Sequence, residues 1–551
     1  MQMSGAAAIV ACLLEQGVDT VFGFPGGQVL PLYDALFDAP LTHILTVHEQ
    51  GAAHAADGYA RTSGRVGVCI ATSGPGATNL VTGLANAYMD SVPLVAITGQ
   101  VPTALLGKDS FQEVDTRGIT MSVTKHNFLL REPGRLPETI RLAFHVARSG
   151  RPGPVLIDVP RDIQTATLDF QPSPPLPAQH RELPSQLKEE VCRAAAAIQA
   201  ARRPVMVVGG GAVRGNACRE ARLVAETFQL PVVSTLMGLG AIPSSHPQFF
   251  GLTGMHGTKR ANAVVHEADL IVAVGSRFSD RVTGDCSRYL TGKTLIHMDI
   301  DQAEVDKNVT AEIALIGELP VLLALLAGSK AGDTRQGRKT IRAKREDSPP
   351  HRECGRLTAP WIMRRLTQQV GEQAVIFATD VGQHQMWAAQ YLSIEKPGTW
   401  LTSGGLGTMG FGLPAALGAQ LAAPDHRVVL IAGDGGFKMT GLELYTAAAY
   451  KLPVIVIVLD NGALGMVRQW QHLFYGQRYS ASLSARPFDF CGLARSCGVP
   501  ARRVDSPQAF AEAFAAAWSE RTPSVIVADI ATADLVTPMV APGAGLTEYV
   551  D

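Results

Sequence analysis

Several features are missing from the chain, and each absence removes a class of function. Of its 551 residues, 48 are Lys or Arg and 49 are Asp or Glu, giving a formal charge of −1. No basic stripe with interleaved aromatics is visible, which argues against a nucleic-acid partner. No run reaches the roughly 20 apolar residues that cross a bilayer. The N-terminus also lacks a charged segment followed by an apolar core. A cytoplasmic protein without a membrane segment is therefore expected. The eight cysteines, at 12, 69, 192, 218, 286, 354, 491 and 497, stand singly, without CxxC or a His at ligand spacing. That pattern suits reduced, mostly buried thiols rather than a zinc site or a disulfide framework. The nucleotide loop GxxxxGK[ST] is absent as well.

What is present is a long, apolar, α/β-patterned chain. Its length exceeds what one core usually serves, and 46% of its residues are hydrophobic, so three domains are expected. Two stretches interrupt the alternation of apolar runs and helices. One, 165–190, contains QPSPPLP; the other, 328–355, contains GSKAGDTRQGRKTIRAKREDSPPHRECG. Read as linkers, they leave domains at 1–165, 190–328 and 356–535, with a tail at 536–551. Each domain alternates strand and helix, which predicts doubly wound parallel sheets. GRVGVCIATSGPGATNL and RVVLIAGDGGFKMTGLEL share a strand, Gly-rich turn and helix, a faint sign of duplication between the first and third domains.

Two strand ends in the third domain carry oxygen ligands. Val428 to Ala432 runs into Gly433-Asp434-Gly435, Met439 to Lys451 alternates at helical spacing, and Val454 to Leu459 runs into Asp460-Asn461. A parallel crossover of this length pairs its strands, so the ends lie about 5 Å apart and Asp434 and Asn461 can share one ion. Ligands of open α/β sheets gather at such ends, and glycines there let backbone N–H groups approach an anion. A small hard cation such as Mg2+ takes six oxygens. The Asp434 carboxylate, the Asn461 amide and a nearby carbonyl, such as that of Ala463, would supply three; a diphosphate and a water would supply the others. Taken singly, GDGG is a turn and Asp-Asn a helix cap. Together, after two buried strands, they predict a metal-held diphosphate.

The middle domain is less explicit. Its strands end at Gly209-Gly210-Gly211, Gly275 and Asp301, but GGGAVRG does not have GxGxxG spacing, and a structural domain and a nucleotide site are both compatible with it. Glu49, in Thr46-Val47-His48-Glu49-Gln50-Gly51 before an Ala-rich helix, is by spacing alone a first-turn charge.

Ordered motifs across nearly the whole chain change that reading. HEQGA around Glu49, Thr72-Ser73-Gly74-Pro75-Gly76 with Asn79, GGLGTMGFGLPAA from 404 to 416, and GDG with Asn461 resemble the thiamine-diphosphate enzymes of the pyruvate oxidase and decarboxylase group. Further segments resemble the acetolactate synthase (acetohydroxyacid synthase) catalytic subunits within it. These are PGG at 25–27, TGQV at 98–101, FQEVD at 111–115, GMHGT at 254–258, RFSDRVTG at 277–284, MDID at 298–301, DVGQHQMWAAQ at 380–390 and GMVRQWQ at 465–471.

The resemblance implies chemistry. Glu49 would bond N1′ of the aminopyrimidine and promote the imino tautomer that deprotonates the thiazolium C2. Ser73, Pro75, Gly76 and Asn79 would line the pyrimidine side. Val381, Gly382, Gln383, His384, Gly407, Gly433, Gly435 and Gly436 would line the diphosphate side, and Met409 would bend the cofactor into a V. FAD would be held by Arg151, by Gly209, Gly210 and Gly211, by Gly254, Met255 and His256, and by Gly275, Arg277, Asp299 and Ile300. Gly27, Phe111 and Gln112 would line the reaction centre, with Arg161, Met255, Met466 and Val467 nearby. Arg281 would pair with the acceptor carboxylate. Trp470 would favour 2-ketobutyrate, since one methylene against an apolar wall is worth about 1–2 kcal/mol.

The implied reaction decarboxylates pyruvate and joins the hydroxyethyl carbanion to a second 2-keto acid, pyruvate or 2-ketobutyrate. It yields 2-acetolactate or 2-aceto-2-hydroxybutyrate for branched-chain amino acids. Because pyrimidine and diphosphate sites in the family come from different subunits, a homodimer or homotetramer follows. Feedback control would need a separate small regulatory subunit, since no amino-acid-sensing domain is evident. Three positions depart from the family: Gln28 after PGG, where a small residue is usual; Arg161 in place of lysine; and Ala463 in place of a longer polar residue. The rivals are a related carboligase, decarboxylase or oxidase, and a non-catalytic paralogue. The last would be expected to have lost Glu49, Asp434 or Asn461, which all stand.

Overall fold

The computed structural model describes residues 1–177, 185–329, 355–371 and 373–550. Most of the second expected linker, part of the first, and Cys354 lie outside them. Three six-stranded sheets, every pairing within them parallel, organise the chain. Their strands are short β-branched runs such as Pro204–Val208 and Arg427–Gly433, buried along almost their whole length, as sheets covered on both faces require. Residues alternate between two apolar clusters, one per face. In the third sheet Val429 and Ile431 enter one cluster, Val428 and Leu430 the other. In the first, Val68 and Ile70 oppose Cys69 and Ala71. In the middle, Met206 and Val208 oppose Val205 and Val207. This is the expected doubly wound architecture.

Strand order carries further information. In the first domain the order is Thr42–Leu45, Thr20–Phe24, Gly67–Ala71, Leu94–Gln100, Pro154–Pro160, His126–Leu129, or 2-1-3-4-6-5 in local numbering. The third domain repeats it with Trp400–Leu401, Val375–Thr379, Arg427–Gly433, Ile455–Asp460, Ser524–Asp529 and Ala501–Val504. That identity supports the duplication that the sequence only hinted at. The middle sheet differs, with Phe249–Leu252, Val232–Ser234, Pro204–Val208, Leu270–Val274, Thr294–Asp299 and Ile313–Ile316 in the order 3-2-1-4-5-6. This is the dinucleotide-binding order, whose ligand crevice opens between strands 1 and 4.

Three boundaries differ from expectation. The helix after Gly433 starts at Asp434, not Met439: Asp434–Thr440 is helical, followed by a 3-10 turn at Gly441–Glu443 and the helix Leu444–Ala449. Gly436 sits in its first turn because a Cβ there would lie 2.3 Å from Asp380 Oδ1. Within the expected first linker, Thr167–Asp169 pairs antiparallel with Gln2–Ser4, driven by burial of Leu168 and Phe170 in the first core. The helix Ser185–Ala200 also begins inside that linker. The tail is ordered too: Met539–Val540 pairs with Tyr549–Val550, and the Leu546 carbonyl accepts from Asn262 at 3.0 Å. Among the described residues no disulfide forms, and no helix is long and apolar enough to cross a membrane.

First and third domains meet where the helix Glu49–Ser63 crosses the helix Gly412–Ala422. Gly58 and Gly418 allow the contact. A Cβ on Gly418 would lie 1.9 Å from the Ala55 carbonyl oxygen, and one on Gly58 would lie 2.1 Å from that of Ala415.

Candidate active site

The third-domain crevice forms as the strands predict. Gly433 pairs with Leu459, so Asp434 and Asn461 leave adjacent strand ends. They line one small cavity with Gly382, Gln383, His384, Gly433, Gly435, Gly436, Ala463 and Met409. Asp434 is 2% exposed, and burial raises its carboxyl to about 6, only partly offset by Lys438 at 3.5 Å. A buried carboxylate of this kind is completed by a cation. Asn461 is oriented for the same purpose. Its Nδ2 donates to Gln383 Oε1 at 3.2 Å, and its Oδ1 accepts from the Ala463 N–H at 3.1 Å, leaving a lone pair for an ion. The donor set is a carboxylate and an amide beside a backbone carbonyl, all hard oxygens. His384 Nε2 is buried without a partner, and a Cβ on Gly433 would lie 2.8 Å from His384 Nδ1. With no Cβ at Gly433, Gly435 and Gly436, the backbone leaves the cradle that an anion needs. The residues present fit a metal-bound diphosphate.

Met409 is not a core methionine. It lines this cavity and a second, much larger one, and its methyl lies 3.2 Å from where a Gly435 Cβ would stand. The large cavity, of about 1820 Å³, continues from Val381, Gly382 and Gly407 into the middle domain. There it is lined by Gly210, Gly211, Gly275, Arg277, Asp299, Ile300, Met255, His256 and Arg151. Its position is the switch point of the 3-2-1-4-5-6 sheet, between the ends of Pro204–Val208 and Leu270–Val274. Ser276 Oγ and His256 Nδ1 are buried there without partners, so polar groups remain to be met by a ligand. An extended dinucleotide such as FAD fits this crevice.

Two of the expected flavin residues do not line it. Gly209 and Gly254 instead permit close backbone packing: a Cβ on Gly209 would lie 2.2 Å from the Gly275 carbonyl oxygen, and one on Gly254 would lie 2.3 Å from that of Arg281. Arg151 does line the cavity, yet its guanidinium is already engaged. It meets Glu304 at 2.6 Å and Asp301 at 3.3 Å, with Nε donating to Ser91 Oγ at 2.8 Å.

One wall of the large cavity joins residues of the middle and third domains. Arg281, Met255, Met466, Val467 and Trp470 come together, with the Arg281 guanidinium 5.4 Å from the Trp470 ring and 3.6 Å from Met255 Sδ. Trp470 Nε1 is buried and has no partner. Arg281 meets the exposed Asp280 carboxylate at 3.5 Å and is itself 56% exposed in its side chain, so it remains accessible to a ligand carboxylate.

The pyrimidine-side residues assemble separately, at the switch point of the first sheet. Glu49 is the first residue of its helix, and Asn79 Nδ2 donates to Glu49 Oε2 at 3.0 Å. A Cβ on Gly76 would lie 3.4 Å from Glu49 Oε1, which brings the Ser73, Pro75 and Gly76 turn against it. Ser73 Oγ is buried and unpartnered. Gln112, in the left-handed region at φ 58°, lies over Gly74, where a Cβ would be 2.8 Å from its carbonyl oxygen. Phe111 is 85% exposed. Gly27 opens the 3-10 turn that follows the neighbouring strand end. Among the described residues, neither cavity of the single chain is lined by this group or by Arg161, which is exposed at the start of Arg161–Thr165. Gln28 tucks in beside it: its N–H donates to Thr72 Oγ1 at 3.3 Å, while its side-chain oxygen is buried and unpartnered.

Sequence reasoning missed Asp90, Arg214 and Ser403 in the large cavity, and Glu443 behind Glu49. Glu443 is buried and accepts from the Val47 and His48 N–H groups at 3.1 and 3.2 Å, fixing the approach to Glu49 from the third domain. The signal was available: a lone Asp in AYMDSVP and a lone Glu in MTGLEL each break an otherwise apolar stretch.

Comparison with known proteins agrees with the geometry. Three family descriptions match: "Thiamine pyrophosphate enzyme, N-terminal TPP binding domain" at 3–119, the "central domain" at 191–326 and the "C-terminal TPP binding domain" at 380–528. A probable acetolactate synthase large subunit of Methanocaldococcus jannaschii is 46% identical, over 100% of this chain and 95% of the relative. An acetolactate synthase large subunit of Corynebacterium glutamicum is 47% identical, over 98% of this chain and 89% of the relative. An acetolactate synthase of Mycobacterium bovis is 46% identical, over 98% and 90%. The chain belongs to the thiamine pyrophosphate enzymes, in the acetolactate synthase large-subunit family.

Proposed function

We propose that the chain is the catalytic chain of an acetolactate synthase, taking pyruvate as donor and pyruvate or 2-ketobutyrate as acceptor. The observation that carries this reading is the pairing of the Asp434 and Asn461 strand ends beside a cavity walled by Arg281 and Trp470. Thiamine diphosphate, bound there, supplies the thiazolium that adds to a 2-keto carbonyl and takes up the electrons left when carbon dioxide departs. Asp434, Asn461 and the Ala463 carbonyl hold Mg2+, and the glycine turns at Gly382, Gly433 and Gly435 admit the phosphates. Met409, on the wall shared by the two cavities, would contact the cofactor's rings. Glu49 shares a proton with the pyrimidine N1′, with Asn79 fixing one carboxylate oxygen and leaving the other free. Arg281 receives the acceptor's carboxylate, and Trp470 sets the room for its side chain.

The first, middle and third domains would then bind the pyrimidine, FAD and the diphosphate with Mg2+, respectively. That the Glu49 cluster lines neither cavity of its own chain supports a role in a site of a second copy, with a homodimer as the smallest working unit. The relatives named large subunits support a separate small subunit as a further partner. Glu49→Gln keeps the shape and removes the ionisable proton. Turnover of pyruvate should fall at least about 100-fold, with cofactor still bound. Turnover at the wild-type rate would refute the assignment.

A further inference from the structure

Between the first and third domains lies a buried charge cluster that the reaction does not itself use. Asp57 and Arg61 stand one turn apart on the Glu49–Ser63 helix, and Asp90 caps the C-terminus of Val81–Met89. Their side chains are 0%, 3% and 0% exposed. Arg61 pairs with Asp57, meets Asp90 at 3.0 Å and donates from Nη1 to the Thr402 carbonyl at 2.7 Å. Asn86 donates to Asp57 at 3.0 Å, while its oxygen accepts from Ser403 Oγ at 2.6 Å and Thr408 Oγ1 at 3.1 Å. Asp90 accepts the Gly405 and Gly404 N–H groups at 2.7 and 3.1 Å. From the middle domain, Arg214 Nε donates to the Asp90 carbonyl at 3.0 Å.

Two carboxylates and the Arg61 guanidinium out of water, with Arg214 beside them, are a poor way to glue domains, because desolvation costs several kcal/mol per ion and apolar contact would serve as well. What this cluster adds is geometry. Arg61 holds Asp90 Oδ2 at 3.0 Å, and the Gly405 N–H reaches Oδ1, with the Gly404 N–H joining Arg61 on Oδ2, only when the 402–408 loop holds this conformation. That loop carries Gly404, Gly405 and Gly407, the last at φ 72°, and such a segment has little conformational preference of its own. It leads directly into Met409, which lines both cavities.

We propose that Asp90, locked by Arg61, is a positioning residue: first-domain charge fixes the 402–408 loop of the third domain and so sets Met409 beneath the cofactor. This rests on the thiamine-diphosphate reading above. Asp90→Asn keeps the shape but turns one acceptor into a donor facing a glycine N–H. In the cofactor-free protein, amide hydrogen exchange across 402–409 should accelerate about 10-fold or more, with the strand Arg427–Gly433 unchanged. At saturating thiamine diphosphate and Mg2+, kcat with pyruvate should fall about 10-fold, while the half-saturating cofactor concentration rises less than about 3-fold. Ser403→Ala leaves the charges in place and loses only the bonds to Asn86 and Thr408, so it provides a milder variant with the same pattern at smaller amplitude. Loop exchange unchanged in either folded variant, or a kcat restored in full by more cofactor, would overturn the proposal. A fully active Glu49→Gln would sink the functional reading and leave the loop-exchange result standing, so the two failures are separable.

Discussion

Asp158 lies inside the first sheet, where burial raises its carboxyl to about 7 despite bonds from Thr98 Oγ1 at 2.7 Å and Gln100 Nε2 at 3.0 Å. Gln100 in turn donates to the Val114 carbonyl at 2.9 Å, so the carboxyl supports the loop that carries Phe111 and Gln112. In the unfolded chain an aspartate ionises near about 4. Between the two values the folded protein holds the extra proton, so stability declines as pH rises from about 4 to about 7 and is flat above. Asp158→Asn removes that slope. Its apparent unfolding temperature should gain on the wild type between about pH 5 and pH 7; parallel curves would contradict the buried acid. At this scale the sequence was informative wherever a residue sat in a motif. Asp434 and Asn461 leave adjacent strand ends, Arg281 and Trp470 line one cavity, and Glu49 starts its helix beside Asn79. Asp90 and Glu443 did not stand out, because their roles come from contacts across hundreds of positions, such as Val47 with Glu443.

Helices and strands were legible where local chemistry settles them. The runs Val428 to Ala432 and Val454 to Leu459 became paired parallel strands because they are β-branched and end in Gly or Asp. The helix start at Asp434 was missed by five residues, since two glycines in a first turn look like a loop until Asp380 is seen beside them. Beyond that one crossover pair, sheet order was not legible: which strands neighbour one another is a non-local outcome, and the 3-2-1-4-5-6 order that favours a dinucleotide emerges only in three dimensions. The glycines of ALGAQ and ADGYA likewise gave no hint of a helix crossing. Gly418→Ala should force the Glu49–Ser63 and Gly412–Ala422 helices apart and destabilise the protein by about 2 kcal/mol or more. Gly134→Ala, with no atom within 4 Å, is the matched control and should stay within about 0.5 kcal/mol. Equal effects in denaturant melts would remove the crossing from the account.

For the whole molecule, the proposed function divides the site between chains. Glu49 and Asp434 belong to one polypeptide yet serve different sites in the proposed dimer, so Glu49→Gln and Asp434→Ala should each be nearly inactive alone. Mixed after dissociation and reassembly, they should recover roughly a quarter of wild-type activity, because half of the random dimers carry one intact site of two. No recovery from verified mixed dimers would place both residues in one site. The synthase assignment itself is tested most directly by product. The purified chain is incubated with pyruvate, with and without Mg2+ and thiamine diphosphate, then acidified, and acetoin is read by colour. Acetoin that depends on both additions is the predicted result; pyruvate consumed with acetaldehyde or acetate as the product, and no acetoin, would contradict it.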